Sequence, residues 1–405
     1  MQGKEDPQHV VAAEEVVSTA THSKSWTIVG VVAFALFLDY LLYGIVVPLT
    51  PLSPAKVNSE EQLGLLYGGY AVSVLLVTPL FGYLGDRVGA RIMMICGVVL
   101  AASATALFGL ASNFSLLLAA RLCQGAASAA TWTSGLALIA EHYTEKRVEM
   151  IGYAFTGSTA GSVLGPVIGG LMYRAGGYHL PFLASGLLFA IEAGLLLLFL
   201  PAGRSGQKEN VDLRALLLNK SLLVAALAVA LAAFAWGIIE PLVPVRLNRY
   251  GVTAETIGLM FTISSITYGL SAPIVGWVSE RLSVKKVTIL GTLAMALTLP
   301  TLSAFEQASL AGVALCLVNI SYAFMLNPAS AELGNVVDRA GMSCYSAVYA
   351  VYNIAYSVGM VVTTVVASAT VGFLGFRGAL LCVSAVLILS TVLLAVQEDS
   401  TPIKP

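Results

Sequence analysis

Apolar residues along this chain cluster in long runs separated by short polar hinges. Each run is roughly 20 residues or more, the length an α-helix needs to cross a hydrocarbon core about 30 Å thick. Twelve runs can be laid out, at approximate limits 27–50, 62–84, 92–112, 115–140, 149–172, 180–201, 221–245, 256–279, 286–305, 309–336, 342–372 and 377–396. The pattern predicts an all-α membrane protein of twelve transmembrane helices. No sizeable soluble domain fits, because the longest polar stretches are the first 25 residues and the linker from about Gly203 to Lys220. Met1 to Ser25 lacks a basic start followed by a short apolar core, so a disordered tail is expected there and not a cleaved signal. The expected units are a tail 1–25, a six-helix bundle 26–202, a linker 203–220, a second six-helix bundle 221–397 and a tail 398–405.

Composition agrees with this class. Of 405 residues, 58% are hydrophobic and 11% charged, and the mean hydropathy is +0.86, whereas soluble domains are about one quarter charged. Orientation follows from Lys and Arg in the short loops. With a cytoplasmic N-terminus, 15 of the 21 basic residues fall inside, five (Lys56, Arg174, Arg246, Arg249 and Arg377) fall outside, and Arg121 lies within a span. Both termini are therefore expected in the cytoplasm. All five cysteines lie in expected spans without a CxxC or Cys/His spacing, which argues against disulfides and metal sites. A net charge of −1 gives no reason to expect a nucleic-acid partner.

The two halves repeat. Gly82-Tyr-Leu-Gly-Asp86-Arg87 is echoed by Gly276-Trp-Val-Ser-Glu280-Arg281, 194 residues later, and Pro48-Leu-Thr-Pro51 by Pro241-Leu-Val-Pro244, 193 residues later. Two independent motifs whose offsets agree to within one residue predict an internal duplication, the construction of transporters whose midplane site lies between two rocking bundles.

Some residues inside the spans are costly. A carboxylate near a helix centre costs about 2.5 to 3.5 kcal/mol on insertion scales, and Asp39 and Glu240 are the clear cases, with Glu192 and Glu332 weaker ones. Arg121 is the one basic residue inside a span, so ion pairing neutralises at most one acid. Desolvation disfavours the charged form of a carboxyl, and such a group holds either a proton or an organic cation but not both. Competition of the two for one carboxylate yields exchange when the site faces the two sides in turn. Aromatic residues beside the acids suit a cationic guest through cation–π attraction: Tyr40, Tyr43 and Tyr70 in the first half, Trp236 and Tyr268 in the second, with Tyr43 one turn from Asp39 and Trp236 one turn from Glu240.

Two further patterns bear on movement. Gly157, Gly161, Gly165 and Gly169 form a stripe at four-residue spacing that admits a close neighbour helix, with Gly170 beside it and Pro166 removing a backbone donor. The loop containing Gly82, Asp86, Arg87 and Arg91 offers an acid that would sit against the positive N-terminal end of a neighbouring helix, a latch broken when the bundles part.

These residues resemble the major facilitator superfamily. The 82–91 loop is similar to its signature between helices two and three; Arg121, Gln124 and Gly125 resemble its helix-four signature; Gly161 to Gly170 resemble the helix-five pattern of drug:proton antiporters. Leu38-Asp39 with Val46-Val47-Pro48, Gly237-Ile-Ile-Glu240-Pro241, and Val337-Asp338 through Ala350 are similar to segments of the vesicular amine transporters. The resemblance implies rocker-type alternating access and export of amines or lipophilic drugs in exchange for protons. Asp39 and Glu240 would contact the cation, and Arg121 and Glu332 are second-rank candidates for the proton route. Where those transporters pair a helix-two lysine with a helix-eleven aspartate, this chain has Tyr70 and Asn353, which would form a neutral hydrogen-bonded pair. Their helix-ten aspartate falls at Ala323. Their long glycosylated loop after helix one is missing, so a bacterial inner-membrane protein is expected and not a vesicle protein.

The expected activity is thus a proton-coupled exporter of small organic cations, a monomer in the lipid bilayer without cofactor. An exporter of neutral or anionic solutes such as sugars is the alternative, and would be indifferent to positive charge. A receptor or a membrane enzyme is the distant one; no GxSxG, HExxH or Walker pattern occurs.

Overall fold

The computed structural model describes residues 7–55, 57, 60–200, 219–304 and 307–396. The first half consists of α1 (Pro7–Leu49), α2 (Glu60–Val88), α3 (Ala90–Leu110), α4 (Phe114–His142), α5 (Arg147–Gly176) and α6 (His179–Phe199). The second consists of α7 (Lys220–Arg249), α8 (Ala254–Leu282), α9 (Val284–Thr298), α10 (Ala308–Arg339) and the run Tyr345–Val396. That run breaks at Gly375, whose φ of 68° is non-helical, into α11 (345–374) and α12 (376–396). Among the described residues there are thus twelve helices. The expected linker 203–220 lies outside the described residues except for Asn219 and Lys220, and the expected tail 398–405 lies outside them entirely. In the N-terminal segment α1 begins at Pro7, where the sequence reads as a disordered tail; Ala12, Ala13, Glu14 and Glu15 are good helix formers there.

Ten helices are apolar and long enough to cross a membrane. The other two, α4 and α5, have 29 and 30 residues, long enough at 1.5 Å per residue, but are rich in Gly, Ala, Ser and Thr. Helix α4 sits in the interior, and α5 packs its glycine stripe on α1 while Leu164, Val167 and Leu171 remain exposed. From Ser128 to Ala140 all but Trp132 in α4 are buried, so this helix meets other helices and need not be apolar enough for lipid. Large apolar side chains on the outer helices point outward instead, among them Leu76 at 74% exposure and Leu198 at 78%.

The duplication extends to backbone geometry. Pro79 lies inside α2 and Pro273 inside α8. Gly89, before α3, has φ 103°, and Ser283, before α9, has φ 74°. Both pairs stand at the 194-residue offset seen in the sequence motifs. The second loop keeps the left-handed backbone although serine has replaced glycine.

Close helix approach holds each half together. The predicted stripe on α5 lies along α1: a side chain at Gly157 would run into the Ala33 carbonyl, at Gly161 into Phe37, at Gly165 into Leu41 and at Gly169 into Ile45. Gly170 faces open space and is no part of this contact. In the second half Gly359 of α11 meets the Ala230 carbonyl of α7, and Thr363 Oγ1 donates to the Phe234 carbonyl at 2.6 Å. Between halves, Gly82 and Gly85 of α2 admit Ala350 and Ser346 of α11, while Gly152 of α5 meets Ala272 of α8 and Asn327 of α10.

Candidate functional site

A cavity lies between the halves, lined from α1, α4, α5, α7, α8, α10 and α11. Its walls are mostly aromatic. Trp132 stacks on Tyr352 (ring centroids 6.4 Å apart, planes at 10°) and on Phe155 (5.9 Å, 30°), and Tyr352 continues to Tyr356 (5.9 Å, 28°). Opposite, Trp236 stacks on Tyr322 (5.0 Å, 23°), which touches Tyr268 (5.9 Å). Among the described residues Glu240 is the one charged side chain in the lining, and no described basic group joins it. Helix α7 sets Glu240 one turn past Trp236, so acid and indole share a face. Asn319 also lines the space; its Nδ2 donates to the Leu315 carbonyl at 3.2 Å, while its buried Oδ1 has no partner.

Asp39 belongs to a second, smaller cavity, shared with Tyr43, Tyr70, Arg121 and Gln124. One oxygen of Asp39, Oδ2, accepts from Ser128 Oγ at 2.7 Å and from Trp132 Nε1 at 3.0 Å. Ser128 and Trp132 are one turn apart on α4, so a single helix face supplies both donors. Arg121 is 1% exposed. Its Nη1 donates to Gln124 Oε1 at 2.9 Å, its guanidinium stands 4.9 Å from the Tyr70 ring centroid, 5.4 Å from Tyr43 and 5.6 Å from Tyr67, and Nε and Nη2 have no partner. Buried guanidinium flanked by tyrosine faces is stabilised by cation–π attraction.

The residues grouped in the sequence thus divide. Trp236 and Glu240 meet in the central cavity; Asp39, Tyr43, Tyr70 and Arg121 meet in the smaller one. The expected pairing of Tyr70 with Asn353 is corrected: Asn353 Nδ2 donates to Thr133 Oγ1 at 2.8 Å, joining α11 to α4, and Tyr70 packs on Tyr43 and Arg121. Glu332 stands apart from both cavities. It pairs with Arg339 and accepts from Asn335 at 3.1 Å, because two turns along the end of α10 bring 332 and 339 onto one face. Glu192 is fully buried in α6, outside both linings, and both its carboxyl oxygens are without a partner.

At the end where the linker joins the halves, polar contacts latch them. Asp86 accepts from the backbone N–H of Ser346 (2.8 Å) and of Ala347 (3.0 Å), the first turn of α11; this is the acid-on-helix-end contact expected of that loop. Arg87 stacks on Tyr83, and Arg91 donates to the Leu197 carbonyl of α6 at 3.1 Å. A second latch was not legible in the sequence. Arg147, 1% exposed, donates to Asn335 Oδ1 (2.6 Å), Asp338 Oδ2 (2.8 Å) and the Ala140 carbonyl (2.7 Å), and Asp338 also accepts from Tyr345. In the sequence Arg147 is one more basic loop residue beside Lys146. The aromatic wall did leave a signal: Tyr345, Tyr349, Tyr352 and Tyr356 recur at helical spacing.

Comparison with known proteins agrees with this architecture. The family model described as Major Facilitator Superfamily matches residues 32–226 and again 225–405. The Drosophila melanogaster vesicular acetylcholine transporter is 26% identical over 392 residues, covering 86% of this chain and 67% of the relative. The Mus musculus synaptic vesicular amine transporter is 25% identical over 328 residues, covering 79% and 63%. The crystal structure of the human organic anion transporter MFSD10 (TETRAN) superposes with a TM-score of 0.68 at 17% identity over 91% of this chain and 99% of the other, a likeness of fold. With twelve helices in two repeated bundles around a shared cavity, and that family's model matched across both halves, this multi-pass membrane chain belongs to the Major Facilitator Superfamily of transporters.

Proposed function

We propose that this transporter exports organic cations, amines or lipophilic drugs, in exchange for protons by alternating access. The observation that carries the reading is Glu240: a single carboxylate among the described lining residues of a cavity walled mostly by aromatic rings. A buried carboxylate without a basic neighbour is stable either protonated or beside a cation, and the ring faces supply the rest of the cation's lost hydration. The unpartnered Asn319 Oδ1 offers an acceptor to an ammonium N–H. Relatives named for acetylcholine and amine transport support the same substrate charge.

In this reading the cation pairs with Glu240 and displaces its proton, while Asp39, beside Arg121, is a second proton site. With the linker end latched through Asp86 and Arg147, the cavity is served from the opposite side. Releasing both latches exposes it to the linker side, where the cation enters again. The excess of basic residues on that side supports a cytoplasmic placement of both termini in a cell membrane; the proposed transporting unit is the monomer, since both cavities are lined by one chain. The alternative, export of neutral or anionic solutes, has no basic residue in the cavity lining to support it.

The test is proton flux in liposomes on addition of cationic or uncharged solutes, in wild type, Asp39→Asn and Glu240→Gln. Proton counterflow driven by cations and lost in both variants is expected. Movement of uncharged solutes that tolerates both substitutions would overturn the reading.

A further inference from the structure

The two carboxylates do not share a cavity. No residue is common to the lining of the space that holds Glu240 and the space that holds Asp39. What separates them is the indole of Trp132, whose ring lines the central cavity while its Nε1 donates to Asp39 Oδ2 at 3.0 Å. The ring is held from several sides. Phe155 and Tyr352 stack on it, the latter from the other half of the molecule, and Tyr40 meets it edge-on at 5.7 Å. Tyr40 in turn leans on Tyr43 of the smaller cavity (6.5 Å), so Tyr40 props the partition at its edge.

From this geometry we infer that Trp132 is a specificity-determining residue that limits the substrate to one positive charge. The inference rests on the organic-cation reading of the central cavity. A guest there has one carboxylate, Glu240, for one cationic centre. A second cationic centre would face rings and the neutral polar groups of Ser158, Thr159, Ser162 and Asn319 but no second carboxylate, and a charge taken out of water without a counter-charge is strongly disfavoured. Asp39 could serve it, but its bonded oxygen is held by Ser128 and by the indole itself, and the indole ring stands between it and the guest. The wall therefore acts against the wrong substrate by exclusion, in addition to the ring face it offers a singly charged guest. Removing the indole side chain joins the two spaces and gives a doubly charged guest an acid at each end.

The test uses two dyes with one phenanthridinium ring system, ethidium with one positive charge and propidium with two, whose binding to purified protein is read by fluorescence. Wild type is expected to prefer ethidium by at least about tenfold, the ratio that ~1.4 kcal/mol produces. Trp132→Ala should tighten propidium until that preference is lost, Trp132→Phe should keep it, and Trp132→Ala combined with Asp39→Asn should restore it. An unchanged preference in Trp132→Ala, or a propidium gain that survives Asp39→Asn, overturns the inference. If wild type binds neither dye, the organic-cation reading falls and this inference with it; if it binds ethidium and Trp132→Ala changes nothing, only the partition falls. A measurement on the unaltered protein guards against a variant that fails to fold. A water-soluble carbodiimide with glycine methyl ester, followed by peptide mass spectrometry, should modify Glu240 and spare Asp39. Equal modification of both overturns the partition.

Discussion

Replacing Arg147 by Gln should release the linker end of the molecule. In this conformation the guanidinium is 1% exposed and its two terminal nitrogens make three hydrogen bonds, at 2.6, 2.7 and 2.8 Å, two of them to α10 of the other half. Breaking a buried ion pair from one side costs about 3 to 5 kcal/mol. The Asp338 side chain is 32% exposed, so water recovers part of that, and about 2 kcal/mol is a fair figure for a half-solvated pair. If the latch forms only when the halves are closed at this end, the whole amount appears in the equilibrium between closed and open, a shift of about 30-fold. Double electron–electron resonance between nitroxides at positions 145 and 280, exposed residues on opposite halves, in a background without the native cysteines, reads that equilibrium. A longer-distance population should grow in Arg147→Gln and in Asp338→Asn, and the double variant should add little to either. Superimposable distributions, or fully additive effects, would refute the latch.

Other consequences are measured more simply. Ser283 holds φ 74° and ψ 146°, a region nearly reserved for glycine that costs a serine about 1 to 3 kcal/mol; Ser283→Gly should raise thermal stability in detergent, and an unchanged or lower melting temperature would count against the strain. Gly161→Val should lower it sharply, since the added carbons meet the backbone of Phe37 and Leu41 and overpacking costs about 1 to 3 kcal/mol; Gly170→Ala, which meets nothing within 4 Å, should be tolerated, and equal effects at the two positions would contradict the α1–α5 contact. Glu332→Gln should leave proton-coupled flux intact, because that carboxylate pairs with Arg339 away from both cavities; loss of coupling with normal folding would restore it to the proton route.

Much of this protein is written in local pattern. Bilayer thickness sets the period of the apolar runs, so the number of helices follows from counting, and duplication shows wherever a motif recurs at one offset. The acids announce themselves because carboxylates inside apolar spans are costly. The glycine stripe on α5 is legible for a similar reason, since only the absence of side chains at four-residue spacing permits the approach to α1.

What the pattern does not carry is which helices meet. Asp39 and Glu240 look equivalent as isolated residues, yet the crossing of α1, α4 and α11 sets Trp132 between them and divides one expected site into two. Asn353 finds Thr133 and not Tyr70 because α11 packs on α4 at that depth. Arg147 becomes a latch only through Asn335 and Asp338, 188 and 191 residues away. Periodicity fixes which face of a helix is buried; the partner of that face is decided by packing among twelve helices, which is a property of the whole bundle and of no single segment.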